Sequence, residues 1–172
     1  MNALEKRTII LKDFLKPLFK QEGFSTSGNY WWKDFEHHFI LIHFQNSQHN
    51  HIDSAAFCLN CSLGLKILLE NDTKRWNAWP QFYWREADVL PESRHFSGYR
   101  KDGGLGYSIK EETDMDNFTA ELSEDLDKYV FPFLNRLNSL KEALDILDRE
   151  LKPEGQTYGL RNEIKKRNIP MD

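Results

Sequence analysis

Between Gly23 and Leu69, aromatic and aliphatic residues alternate with polar ones through three successive runs. These are Asn29-Tyr30-Trp31-Trp32-Lys33, then His38-Phe39-Ile40-Leu41-Ile42-His43-Phe44, then the stretch from Phe57 to Leu65. A period of two sends successive side chains to opposite faces, the requirement of a half-buried strand. The connections, Asp34-Phe35-Glu36 and a polar loop from Asn46 to Ser54, are short enough to join neighbouring antiparallel strands. Ser25 to Asn29 reads as a turn cluster leading into the first strand. Gln81 to Arg85 alternates again as a fourth strand, and Tyr107-Ser108-Ile109 is short enough for a fifth.

Helical patterns flank these runs. Over residues 3–22, Leu11, Phe14, Leu15, Leu18 and Phe19 form one apolar stripe, with Pro17 predicting a kink and Gly23 a left-handed helix end. A second stripe runs from Phe118 through Leu122, Leu126, Tyr129, Val130, Phe133 and Leu134 to Leu137. Thr113 is its candidate N-cap, and Pro132 predicts a kink near residues 128–132. Asn138-Ser139 followed by Glu142 reads as a capping box for a further helix that turns Leu140, Ala143, Leu144, Leu147 and Leu151 inward. Helix, strands, then helices is the order of an α+β fold: an antiparallel meander of four or five strands covered by an N-terminal helix and two or more C-terminal helices.

The 172 residues suit a single α+β domain, 1–172, in which residues 152–172 form a polar, loosely docked tail. A chain of this length buries roughly 70% of its unfolded surface and needs no staple. With 40% hydrophobic and 29% charged residues it reads as a soluble globular protein. The net charge of -4 speaks against nucleic acid, whose phosphates need a clustered basic surface. Arg161 and Lys165-Lys166-Arg167 read as a solvated helix face. No apolar run is long enough to span a membrane, and the charged N-terminus does not read as a secretory signal. The expected location is therefore cytoplasmic, with Cys58 and Cys61 reduced.

His49-Asn50-His51-Ile52-Asp53 is the most suggestive chemical run, because an H-x-H-x-D spacing can bring two imidazoles and a carboxylate to one metal. It resembles part of the site of metallo-β-lactamase-like hydrolases, but Ser54 stands where that family has a further histidine. The competing reading is a polar hairpin loop. His38 and His43 lie an odd number apart, which places them on opposite faces of a strand. His43, beside Phe39 and Leu41, reads as a partly buried, hydrogen-bonded histidine. Cys58-Leu59-Asn60-Cys61 has redox spacing but lies on a strand, which parts the two sulfurs and leaves two ordinary buried cysteines. Asp102 to Gly106 lacks the Lys-Ser/Thr of a phosphate loop and reads as a plain Gly-rich loop.

Trp76, Trp79, Phe82, Tyr83 and Trp84 crowd a weakly patterned segment next to Arg85. Tryptophan and tyrosine anchor interfaces and ligand stacks, and they also fill cores. Trp76, Trp79, Tyr83, Trp84 and Arg85 are the candidate binding residues.

Several motifs in order resemble a known family. They are the helix end Gly23-Phe24, the strand Tyr30-Trp31-Trp32, the strand exit Phe44-Gln45-Asn46-Ser47, the run Tyr83-Trp84-Arg85-Glu86 and the helix Tyr129-Val130-Phe131-Pro132-Phe133-Leu134. Together they are similar to the small, mostly bacterial domain-of-unknown-function family numbered 4304, over roughly residues 8–148. The resemblance implies no activity and no catalytic residue. The functional expectation is a non-catalytic bacterial binding module, with another protein as partner and no cofactor. The alternatives are a metal-dependent hydrolase using His49, His51 and Asp53, and a small-ligand-binding domain with a pocket between sheet and helices.

Overall fold

A computed structural model describes residues 1–70, 74–96, 106–151 and 157–171. Five strands lie side by side in chain order: β1 (Ser25–Ser27), β2 (Tyr30–Asp34), β3 (His38–Asn46), β4 (Ser54–Leu65) and β5 (Gln81–Arg85). β6 (Tyr107–Lys110) pairs with the first residues of β4, and every pairing in the sheet is antiparallel. β4, the fourth strand of the meander, is thus long enough to carry two partners, β5 and β6, in succession along one edge.

Strand β1 lies in the segment that reads as a turn. Its Ser-Thr-Ser has no apolar side chain to show a period, and all three residues are exposed at the sheet edge. The turn itself shrinks to Gly28-Asn29, with Gly28 at φ +60°, which closes the Ser27–Tyr30 pair. The polar loop before β4 is shorter than its composition implies. Asn50 pairs with Ala56 like a strand residue, its Nδ2 donating to Ala56 O at 3.1 Å and its Oδ1 accepting from Ala56 N at 2.7 Å.

The N-terminal helix runs as α1 (Ala3–Ile9), a π-helical turn at Ile10–Leu15 and α2 (Lys16–Gln21). Proline lacks the N–H that would close the preceding turn, so the irregularity falls just ahead of Pro17. Gly23, at φ +84°, ends α2, with Gly23 N–H donating to Lys20 O and Phe24 N–H to Phe19 O. After the short α3 (Glu92–Phe96), the same arrangement recurs at the other expected kink: α4 (Met115–Asp125), a π-helical turn at Leu126–Val130, then α5 (Phe131–Leu134) containing Pro132. Asp114, not Thr113, caps α4 by accepting from Asn117 N; Thr113 Oγ1 accepts from Lys110 N in the turn before it. Ser139 caps α6 (Leu140–Glu150), whose Leu140, Ala143, Leu144 and Leu147 are buried.

The described part of the tail is packed rather than loose. α7 (Tyr158–Arg167) buries Leu160 and Ile164, and Ile169 follows them into the main core. Arg161 ties α7 to α6 through Asp148 at 2.7 Å and Asp145 at 3.2 Å. The helices cover one face of the sheet, where Trp31, Ile40, Ile42, Phe44, Phe57, Leu59, Leu63 and Phe82 are buried. The opposite face carries a smaller cluster, Phe39, Leu41 and Ala78, bordered by Tyr30, Trp32, Leu68, Leu69 and Trp76. No described helix is long and apolar enough to cross a membrane.

Candidate ligand-binding cleft

The face without helical cover is built in rows by the strand register. Tyr30 pairs with His43, His43 with Asn60, and Asn60 with Arg85. The next row, two residues along each strand, is Trp32, Leu41, Ser62 and Tyr83. Above these rows lies a cleft of about 540 Å³, lined among others by Tyr30, His43, Asn60, Trp76, Tyr83 and Arg85. The pocket expectation placed it between sheet and helices. The helix-covered face carries the main core, and this cleft opens on the other side, where polar residues alternate along the strands.

One end of the cleft is aromatic. Tyr30 stacks on His43 with centroids 4.3 Å apart and on Trp76 at 4.2 Å, nearly parallel in both cases. Two rings at such distances from a third must lie on its two faces, so His43, Tyr30 and Trp76 form a continuous stack. The segment carrying Trp76 is held from two strands, β5 and β2. From β5, buried Gln81 donates through Nε2 to Arg75 O and Ala78 O, each at 2.6 Å, and its Oε1 accepts from Ser62 Oγ at 2.7 Å. From β2, Asp34 Oδ1 accepts from Arg75 Nε at 2.9 Å, while the Arg75 guanidinium lies 4.7 Å over the Trp32 ring.

The other end is polar. Asn60 Nδ2 donates to Gln45 Oε1, and Asn60 Oδ1 accepts from Arg85 Nε at 3.2 Å. Asp88 Oδ2 accepts the backbone N–H of Arg85 at 2.7 Å. Burial lowers the His43 imidazole below its usual value and raises the Tyr83 phenol, so both are neutral near neutral pH. Ser62, the hydroxyl of the cleft floor, spends its proton on Gln81 rather than on His43. Such an arrangement offers ring faces for stacking and polar groups for hydrogen bonds; it does not bring that hydroxyl to a base.

The five candidate binding residues separate by position. Trp76, Tyr83 and Arg85 line the cleft with exposed or half-buried side chains. Trp84 borders it, but its indole is buried in the main core, edge-on to Phe133 at 6.1 Å. Trp79 is 75% exposed and lies outside the cleft. Tyr30, His43, Gln45, Asn60 and Asp88 join the lining without having been singled out from the sequence as binding residues.

His43 departs from its expectation. It meets Tyr30 by stacking, and its ring nitrogens have no hydrogen bond to a described residue; of the two β3 histidines the hydrogen-bonded one is His38, whose Nε2 lies 2.7 Å from Leu137 O on the covered face. The three-ligand metal run does not assemble. His51 Nδ1 lies 3.7 Å from Asp53 Oδ2 and His49 Nε2 lies 3.4 Å from Gln48 Nε2, all on an exposed hairpin loop. Among the described residues no group of three or more His, Cys, Asp or Glu side chains is placed to hold a metal ion. Cys61 faces the main core and Cys58 the other side of β4, as the parity of a strand requires. Burial, with Glu86 next in weight, raises the Cys61 thiol well above its usual range. Of the Gly-rich loop, residues 102–105 lie outside the described residues.

No curated protein and no solved structure matches the chain. A family model described as a domain of unknown function, DUF4304, matches residues 15–136, a span that includes β1 to β6 and every residue lining the cleft. With most of its length so matched, the chain belongs to the DUF4304 family.

Proposed function

We propose that this protein is a non-catalytic binding protein whose ligand is a small molecule seated in the cleft on the uncovered sheet face. The observation that carries the reading is the registered row Tyr30–His43–Asn60–Arg85 beneath the Trp76 wall. A rigid aromatic stack beside a few convergent polar groups is the usual make-up of a small-molecule site. Buried thiols at Cys58 and Cys61 suit a reducing compartment, which supports a cytoplasmic setting.

The test is a panel of aromatics, sugars, nucleosides and amino acids added to 15N-labelled protein. The reading expects backbone shifts that cluster at Tyr30, His43, Asn60 and Arg85. A panel that moves none of them overturns it. Trp79, at 75% exposure and outside the cleft, favours a second reading in which this ring anchors a protein partner. In that case Trp79→Ala abolishes capture of the partner while leaving cleft shifts intact, and retained capture removes it.

A further inference from the structure

The ligand class can be drawn from the row itself, given that the cleft is the ligand site. Neighbouring strands are about 4.8 Å apart, and side chains of a registered row stand side by side at that spacing. The first two places are filled by the stacked rings of Tyr30 and His43. The third belongs to Asn60, a short side chain tied to Gln45 and to Arg85 Nε. The fourth is Arg85. His43 and Arg85 therefore stand about 10 Å apart at the backbone, with only an amide between them. One aromatic ring in van der Waals contact on both sides needs about 7 Å. The free face of His43 ends the stack on that side, because Tyr30 occupies its other face and Trp76 lies beyond Tyr30.

Arg85 supplies the charge. Its Nε is committed to Asn60, which turns the guanidinium along the cleft floor, and it makes no ion pair among the described residues. Asp88 stays with the backbone N–H of Arg85 and does not form an ion pair with its guanidinium. We propose that the cleft takes a planar aromatic monocarboxylate, its ring stacked on His43 above Asn60 and its carboxylate on the terminal nitrogens of Arg85. A guanidinium edge accepts a carboxylate through two parallel N–H···O bonds. Gln45 Nε2 and the Tyr83 hydroxyl are further donors in the same cleft. Asp88 selects against a second negative charge, so a phosphate monoester is the poorer fit.

The probes are indole-3-acetate, L-tryptophan, indole, acetate and phenyl phosphate, each titrated into the 15N-labelled full chain. Indole-3-acetate is expected to saturate shifts at Asn60 and Arg85, with indole, acetate and phenyl phosphate each at least about tenfold weaker. Arg85→Gln is expected to lose about tenfold or more for the acid and to leave indole unchanged. Arg85 is exposed, so the variant's thermal midpoint should match the parent's. L-tryptophan binding more tightly than indole-3-acetate assigns its ammonium to Asp88 and supports the proposal for the amino-acid form. Indole binding as tightly as the acid, or Arg85→Gln binding the acid unchanged, overturns the proposal while the cleft remains a ligand site. Silence of all five probes overturns it as well; only silence of the broader panel also brings down the ligand-site reading.

Discussion

Two rows of the same four strands, one residue apart, have opposite character. Trp31, Ile42, Cys61 and Trp84 are paired in register across β2 to β5, and all four are buried beneath the helices. Their immediate neighbours Tyr30, His43, Asn60 and Arg85 form the parallel row on the other face, half-buried or exposed. Backbone pairing, twist and strand position are shared, so the difference lies in side-chain chemistry alone. The covered row gains from removing apolar area from water. The uncovered row keeps polar groups that are costly to bury and useful to a ligand. One sheet thus separates holding the fold from presenting a site.

The sharpest way to break this contrast is a pair of truncations one residue apart on β3. Ile42→Ala is expected to cost about 2–5 kcal/mol, because a fully buried side chain leaves a cavity behind it. His43→Ala should cost about 1 kcal/mol, since only one ring stack is lost from a half-buried position. Urea denaturation of both variants is the measurement. Equal costs would make the uncovered face a second core and remove the distinction.

Next in size is Gly64, where the uncovered face comes closest to being packed. A Cβ there would stand 2.3 Å from the Phe39 ring, which lies across β4 at this glycine. Gly64→Ala must push that ring outward from Leu41 and Ala78, at about 1–3 kcal/mol by the usual cost of overpacking. A smaller contrast separates Trp76 from Trp79, both outside the main core. Trp76→Ala removes the stack on Tyr30 and should cost about 1–2 kcal/mol. Trp79→Ala should lie within about 0.5 kcal/mol of the parent. A severe loss at Trp79 would show that its ring is held by contacts beyond those of a surface side chain.

These contrasts also explain which parts were legible in the sequence. Strands β2 to β5 announce themselves because each must put large apolar residues on the helix side, and Pro17 and Pro132 mark both helix irregularities. β1 has no such signal, and neither does the start of β4, where Ser54-Ala55-Ala56 is too small to show a period. For the cleft, aromatic density found Trp76, Tyr83 and Arg85 but gave no direction to any ring. Parity along β5 separates Tyr83 and Arg85 from Phe82 and Trp84 and assigns Trp84 to the core. Tyr30, His43 and Asn60 were harder to see, because their meeting depends on the register of two successive hairpins, and register is set by turn geometry. The His49–Asp53 run shows the converse: spacing fit for a metal means little until a fold turns the three side chains toward one point.

The smallest expected effect uses the two histidines of β3, one on each face. His38 is buried on the covered side against Leu137 O and stacked on Phe35 at 4.6 Å; His43 is half-buried on the other. Burial lowers both imidazoles, and at His38 the charges of His37 and Lys66 lower it further against the opposing hydrogen bond to Leu137. A base lowered on folding binds its proton more readily in the unfolded chain. Stability is therefore complete above the ordinary histidine value of about 6.5 and is lost as pH falls from there through the folded-state value. Glu150, held down to about 2 by Arg136, loses its contribution only as pH falls below the usual carboxylate value, beneath a titration that stops at pH 5. Thermal midpoints from pH 8 down to pH 5 should fall, and His38→Gln should flatten that fall more than His43→Gln, because His38 is the more deeply buried and glutamine can keep its bond to Leu137 O without taking up a proton. If His43→Gln flattens it equally, the uncovered face excludes water as well as the covered one, and the cleft is drier than its half-buried residues imply.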